Sequence, residues 1–218
     1  MPARRCNVFQ CVKIDDMSKI ISIYSIAALI IVVLAMLNCS PGKPVSNLNM
    51  DTLPGLQTGP APWPAEINNL KERLKDISLP ALAEEGAVLH THQHLDIFID
   101  GKPIEVPYGI GIGEKSSFLA PIHTHDKRGI IHIESPTTQV FTLGQFFDIW
   151  GLRFTAKCIG GYCNQGERTL RVFINGDPFS GDPRTIGLEQ HQEIFVCYGT
   201  ADEIPGEIPS AYEFPEGF

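Results

Sequence analysis

The segment Leu89–Ile99, LHTHQHLDIFI, limits the possible folds of this chain more than any other part of the sequence. Polar and apolar residues alternate along it, and side chains in a β-strand alternate between its two faces. The two faces carry three histidines and three aliphatic residues respectively: His90, His92 and His94 against Leu95, Ile97 and Ile99. We therefore predict a strand whose aliphatic face enters the core, while the histidines line an exposed or half-covered surface.

Other segments predict further strands in a small, mainly antiparallel sheet. The dipeptide Asp100-Gly101 separates the first strand from a second alternation that ends at Pro107, and this pattern predicts a β-hairpin. Three more segments have the composition of short strands: 129–134, 169–174 and 193–198.

Two helices complete the predicted fold. Pro64–Ile77 has apolar residues at helical spacing, and this predicts an N-terminal amphipathic helix. In the second helix, Thr142 and Gln145 form a capping box and Gly151 supplies a left-handed end. This order of elements predicts the α+β class, with a β-grasp-like sheet or, alternatively, a β-sandwich.

The first 39 residues have the pattern of an export segment. Residues 1–19 form a basic leader, and Ile20–Leu37 is an uncharged apolar run of 18 residues, within the range for a membrane-spanning helix. If translation begins at Met17, the run resembles a bacterial lipoprotein signal in which Cys39 is the lipidated residue. If it begins at Met1, the segment 20–39 is an uncleaved transmembrane anchor. Both interpretations place the remaining chain on the extracytoplasmic side, tethered to the membrane.

The rest of the chain divides into a linker, a domain and a tail. Residues 40–63 are rich in proline and glycine, which predicts a linker. A histidine-rich globular domain is predicted at 64–200, followed by an acidic, flexible tail at 201–218. The formal net charge of −8 argues against a nucleic-acid partner, because phosphate binding calls for a basic surface.

Six of the seven histidines fall in two short patches. The second patch contains His123, His125 and His132, and Glu134 shares a face with His132 if this segment is a strand. Neighbouring strands that present imidazoles on one face can assemble a metal site. We therefore predict a metal site with seven candidate ligands: His90, His92, His94, His123, His125, His132 and Glu134. The remaining histidine, His191, is interpreted as an ordinary surface residue.

Copper or zinc is the predicted ion. Imidazole suits both ions, and the general order of affinities favours Cu(II) slightly, with zinc next. All four methionines precede the predicted domain, so a thioether site for Cu(I) is not supported. The sequence also lacks the His-Glu-X-X-His pattern of zinc proteases.

The cysteines of the predicted domain indicate a structural role. Cys158 and Cys163 flank a short loop with two glycines, and we predict that they form a disulfide in an oxidising compartment. Cys197 lies in a predicted strand and is interpreted as a small buried apolar residue.

Three hypotheses for function follow. The first is an extracytoplasmic protein that holds a metal ion for storage, delivery or sensing. The second is a metal-dependent oxidoreductase or hydrolase with an open coordination position and Glu134 as base. The third is a structural or interaction domain without a metal, whose histidines respond to pH.

The motifs EGAVLHTHQHLDIFIDG, PIHTHDKRGIIHIESP and FTLGQFFDIWG together resemble an uncharacterised family of exported prokaryotic domains. The resemblance covers approximately Trp63 to Gly199. It implies that the histidine-rich segments are the hallmark of the family, and it implies no particular activity. The matching residues are His92, His94, His123, His125, His132 and Glu134.

Overall fold

The structure, a computed structural model, describes residues 52–218. The predicted leader, the apolar run, the lipidation site Cys39 and the first part of the linker lie outside the described residues.

One sheet of seven strands organises the described part of the chain. Its strands are β1 (Leu89–Ile99), β2 (Lys102–Ile104), β3 (Ile122–His123), β4 (Ile130–Ser135), β7 (Thr169–Ile174), β8 (Asp177–Pro178) and β9 (Glu193–Gly199). The strand order is β3-β4-β1-β9-β7-β8, and β2 pairs with the second half of β1. Every pairing is antiparallel except that of β1 with β9, which is parallel. A separate hairpin consists of β5 (Cys158–Ile159) and β6 (Tyr162–Cys163).

Two α-helices lie in the described residues, α1 (Leu70–Asp76) and α2 (Leu143–Trp150), with short 3-10 turns at Glu114–Ser116, Pro183–Thr185 and Ala201–Glu203. The fold is therefore α+β with a mainly antiparallel sheet. The capping box of Thr142 and Gln145 is present, and Gly151 ends α2 with a φ of 72°.

Helix α1 begins six residues later than Pro64, the first residue of the predicted helix. The Glu66 carboxylate accepts hydrogen bonds from the backbone N–H groups of Asn68 and Asn69, and this turn precedes the helix. The same carboxylate pairs with the buried guanidinium of Arg73. Because Glu66 is engaged in both contacts, the chain turns before it becomes helical.

The core lies on the face of the sheet that carries the aliphatic side chains of β1. Leu95, Ile97 and Ile99 are each buried there, as the alternation predicts. The aromatic residues of α2 pack into the same cluster, including Phe146 and Trp150. The opposite face of β1 and β4 is consequently left for polar residues.

The part of the predicted linker that the structure describes, residues 52–63, packs on the domain. The Gln57 backbone donates a hydrogen bond to the Gly151 carbonyl at 2.7 Å, and the isolated bridge Gln57–Leu152 continues the contact. Trp63 is buried against Trp150, with ring centroids 6.3 Å apart. Burial of this large ring attaches the segment despite its proline and glycine content.

The acidic tail, 201–218, lies partly on the histidine-bearing face of the sheet. Tyr212 stacks on His94 at a centroid distance of 3.8 Å, and Phe218 lies 4.6 Å from His92. The aromatic rings of the tail have an apolar surface to bury, and the imidazole rings of the sheet provide a matching one.

Candidate metal centre

The register of three strands places the histidines side by side. Strand β4 lies between β1 and β3, so that His132 is directly opposite both His92 and His123. Glu134 lies opposite His90 in the same register. Residues directly opposite each other on paired strands share a face, so these side chains converge on one surface. The resulting histidine and glutamate clusters are largely buried and could hold a metal ion.

The first set of possible ligands consists of His90, His92, His132 and Glu134. The Nε2 atom of His90 is 3.2 Å from Nε2 of His92 and 3.2 Å from Oε1 of Glu134. Two imidazole nitrogens bound to one tetrahedral zinc ion would be about 3.3 Å apart. The spacing of this set therefore suits a common ion without movement of the backbone.

The second set consists of His123, His125, His132 and Glu134. The Nε2 atoms of His123 and His125 are 3.0 Å apart, and Oε2 of Glu134 is 3.7 Å from Nε2 of His123. The ring of His132 is 4.6 Å from that of His125, measured between centroids. His132 and Glu134 thus belong to both sets.

The hydrogen bonds of His123 fix its tautomer. Its Nδ1 lies 3.0 Å from the Ala120 carbonyl, which can only accept, so Nδ1 carries the proton and Nε2 keeps a lone pair. Burial lowers the pKa of His123 to about 4, and burial together with the charges of His132 and His90 lowers the pKa of His92 to about 4. Both rings are therefore neutral at pH 7, which is the form that binds metals.

Glu134 supplies a buried negative charge at the centre of the cluster. Burial alone would raise the pKa of this carboxyl, but the interaction with His132 and the charges that His123 and His90 carry when protonated outweigh it and lower the pKa to about 2. Oε1 of Glu134 is 3.6 Å from Nδ1 of His132, which is beyond ordinary hydrogen-bond distance.

Three buried polar atoms of the cluster have no hydrogen-bond partner among residues 52–218: His92 Nδ1, His132 Nδ1 and Glu134 Oε2. Buried polar atoms are normally paired, and a bound cation would satisfy both the carboxylate oxygen and an imidazole nitrogen. The donor set of neutral imidazoles and one carboxylate thus fits a metal ion.

His94 is separate from the other six predicted ligands. Its Nδ1 lies 2.8 Å from Oε2 of Glu193, and its Nε2 donates to the Arg128 carbonyl at 2.8 Å. Burial would lower the pKa of His94, but the hydrogen bond and charge of Glu193 outweigh this and raise it. His94, Asp96 and Glu193 form a third group of possible ligands, but both ring nitrogens of His94 are already engaged there.

Several residues near the cluster are not identified by the sequence pattern. Phe218 covers it, with its ring centroid 4.6 Å from that of His92 and 5.5 Å from that of His132. Glu85 approaches from the other side, with Oε1 3.5 Å from Nε2 of His125. Aromatic residues recur in the otherwise acidic tail, and this pattern is the signal from which the contact of Phe218 with the histidines could have been predicted.

A small cavity adjoins the second set. It has a volume of about 160 Å³, and His125 and Glu85 form part of its lining. Most of the remaining wall is apolar, including Ile112, Phe118 and Leu119. An ion bound by His125 would therefore border a space that can admit a small molecule.

The three cysteines in residues 52–218 are not among the possible metal ligands. Cys158 and Cys163 form a disulfide across the β5–β6 hairpin, as the sequence predicts. Cys197 is free and buried, and burial raises the pKa of its thiol to about 11. Its thiol is therefore protonated and unreactive at neutral pH.

Comparison with protein-family models, with curated proteins and with solved structures gives no match for this chain. Within residues 52–218, no helix has the length and apolar character required to cross a bilayer.

Proposed function

We propose that this protein is tethered to a membrane, faces the extracytoplasmic side, and binds Cu(II) or zinc for storage, delivery or sensing. The observation that carries the metal-binding part is the convergence of four imidazoles and one carboxylate from three adjacent strands with the imidazole of His125, which lies just after β3. The tether and the location rest on the basic leader, the apolar run 20–37 and Cys39.

The nature of the ligand atoms supports the choice of ion. The cluster offers imidazole nitrogens and carboxylate oxygens, which zinc and Cu(II) both accept, whereas hard ions such as Ca²⁺ prefer oxygen alone. The lowered pKa values of His92 and His123 leave one nitrogen of each of these two rings free of a proton at neutral pH. Both features favour a transition metal or zinc at this position.

The motifs and the topology support two related proposals. We infer that the chain belongs to the exported prokaryotic family that its motifs resemble. We also infer a β-grasp-like sheet, because the first and last long strands, β1 and β9, are parallel neighbours near its centre and α2 comes between β4 and β7. A β-sandwich is disfavoured because one sheet contains all the long strands of the described region.

Metal retention tests the proposed function directly. The full chain, purified in detergent and stripped of metal, would be titrated with Zn(II) or Cu(II) against a competing chelator. We expect submicromolar affinity. We expect His132→Ala to weaken this affinity by more than about 100-fold, because substitution of a residue that only hydrogen-bonds to a ligand already costs about 10–100-fold.

His191→Gln is the control, because this histidine is exposed and is not part of either set, and the glutamine amide can still donate to the Phe218 carbonyl. The control should bind as tightly as the unaltered protein. Failure of the unaltered protein to retain either ion, or equal retention by His132→Ala, would refute the proposal.

A metal-dependent oxidoreductase or hydrolase is a second candidate function. The cavity beside His125 favours it, because a substrate held there would border an ion at the second set. If this function is correct, filling the cavity by Leu119→Trp should leave metal affinity unchanged and abolish displacement of a metal-bound water by small anions such as azide. The pure storage or delivery function predicts that the two proteins respond equally to azide.

A further inference from the structure

We propose that the cluster holds two metal ions bridged by the carboxylate of Glu134, one in a closed set and one in a set with an open position. This inference rests on the proposed metal-binding function. The closed set is His90, His92, His132 and Glu134, and the open set is His123, His125 and Glu134.

The two oxygens of Glu134 face different histidine pairs. Oε1 is 3.2 Å from Nε2 of His90, whereas Oε2 is 3.7 Å from Nε2 of His123. A carboxylate whose oxygens each contact a different set of nitrogens is placed to bind one cation with each oxygen. Ions that share such a ligand in two-metal sites are about 3.5–4 Å apart. The bridge therefore accounts for the membership of Glu134 in both sets.

A single ion would leave part of the cluster without a partner. Four protein ligands complete the usual coordination of zinc, and the cluster provides six ligand side chains within the described residues. An ion in the first set that binds Oε1 of Glu134 leaves Oε2, a buried oxygen with no hydrogen-bond partner among residues 52–218, unsatisfied. The Nε2 atoms of His123 and His125, which lie 3.0 Å apart, can bind a second ion together with this oxygen.

The position of His132 makes the two sets unequal. Its Nδ1 is 3.6 Å from Oε1 of Glu134, the oxygen that also faces His90, so we assign His132 to the first ion. That ion then has four protein ligands, and the second ion has three. Closed sites of four ligands are typical of structural ions, while three ligands leave a position for water or substrate.

The surroundings of the open set agree with this assignment. His125 borders the cavity of about 160 Å³, and its side chain is 38% exposed. In the closed set, Phe218 covers the ring of His92 with a centroid distance of 4.6 Å. The second ion thus borders a cavity that a small ligand can enter.

The number of bound ions tests the inference. We would titrate the metal-free full chain in detergent with Cu(II), measure bound copper by elemental analysis after gel filtration, and record electron paramagnetic resonance spectra. We expect two equivalents, with a spectrum broadened or diminished by coupling of the two ions. His125→Ala, a change at a half-exposed residue, should lower the count to one and give an uncoupled Cu(II) signal.

Two further variants complete the test. Glu134→Gln should weaken binding of the second equivalent by more than about 100-fold, and His191→Gln, which can keep the hydrogen bond to the Phe218 carbonyl, should keep two coupled ions. One equivalent in the unaltered protein, or two equivalents that persist in His125→Ala, would overturn the two-ion centre and leave the proposed metal binding intact. If the unaltered protein bound neither copper nor, in the same titration, zinc, both proposals would be overturned.

Discussion

Acidification of the metal-free protein should reveal the buried neutral state of His123. This histidine is fully buried, and its pKa is lowered from 6.5 to about 4 mainly by burial. As the pH falls from 7 to 5, the unfolded chain takes up a proton at this residue while the folded chain does not. Protons therefore favour unfolding in this window, and linkage gives a loss of about 2 kcal/mol in the free energy of unfolding from His123 alone.

The effect of His123 can be isolated by a substitution that keeps its hydrogen bond. In His123→Asn, the shorter amide can still donate to the Ala120 carbonyl, as Nδ1 does now at 3.0 Å, but it does not titrate. Other groups contribute to the same pH range: His92 in the same direction, and His94, whose pKa is raised, in the opposite direction. These contributions are common to both proteins and cancel in the difference.

Urea unfolding in the presence of a chelator measures the difference. The buried rings of Trp63 and Trp150 provide the fluorescence signal. We expect the urea midpoint of the unaltered protein to fall by about 1 M more than that of His123→Asn between pH 7 and pH 5, given a urea dependence of about 2 kcal/mol per M. Parallel pH profiles for the two proteins would refute the argument that His123 is held neutral by burial.

Three further perturbations test the fold around the centre. Reduction of the Cys158–Cys163 disulfide, which closes a short loop, should destabilise the protein by about 2 kcal/mol and lower its melting temperature by roughly 4–8 °C; a double alanine variant should not respond to reductant. Gly151→Ala should cost about 1–3 kcal/mol in chemical denaturation, because φ is +72° and the new Cβ would lie 2.9 Å from a buried guanidinium carbon of α1. Phe218→Ala should weaken metal affinity roughly 2- to 10-fold in chelator competition, since ring contacts that order two of the ligands are lost, while Phe179→Ala, at an exposed ring outside the cluster, should have no effect.

Alternation along the sequence was sufficient to predict the central strands and the convergence of most histidines. Side chains in strand β1 alternate with a period of two. The same period in β4 places His132 and Glu134 on one face of the strand and Ile131 and Ile133 on the other. A side-chain period states which face a residue occupies, and one buried face then determines the register. This is why His92, His123 and His132 could be expected to share a surface before the strand order was known.

The separate position of His94 depends on strand order, which the period does not contain. β9 begins at Glu193, and its parallel pairing with β1 puts that residue directly beside His94. The pairing of β1 with β9 ends at His94. His90 and His92 therefore have β4 as a paired strand but no strand on the β9 side. A pairing of the first strand with the last cannot be derived from local composition, because it joins residues 99 positions apart.

The tail and the linker show the limit of composition as a guide. Both have the proline, glycine or acidic content of exposed segments, yet each contains aromatic residues that pack on the domain, Trp63 in one and Phe218 in the other. A few large rings can attach a segment whose average character is polar, because each buries a large area. Averages over a segment conceal such contacts.

The arrangement of the ligands relates the sheet to the exchange of ions. His92, His132 and Glu134 are buried and are fixed by a strand pairing, whereas His90 and His125 have side chains that are 56% and 38% exposed. Each set therefore combines ligands held rigidly by the sheet with one that can turn toward solvent while the others stay in place. Rigid ligands favour affinity by limiting the entropy lost on binding, and an exposed ligand gives an incoming carrier or chelator a point of attack. If the proposed ions bind, such a centre would hold them firmly and still release them to a competitor, as the proposed storage or delivery requires.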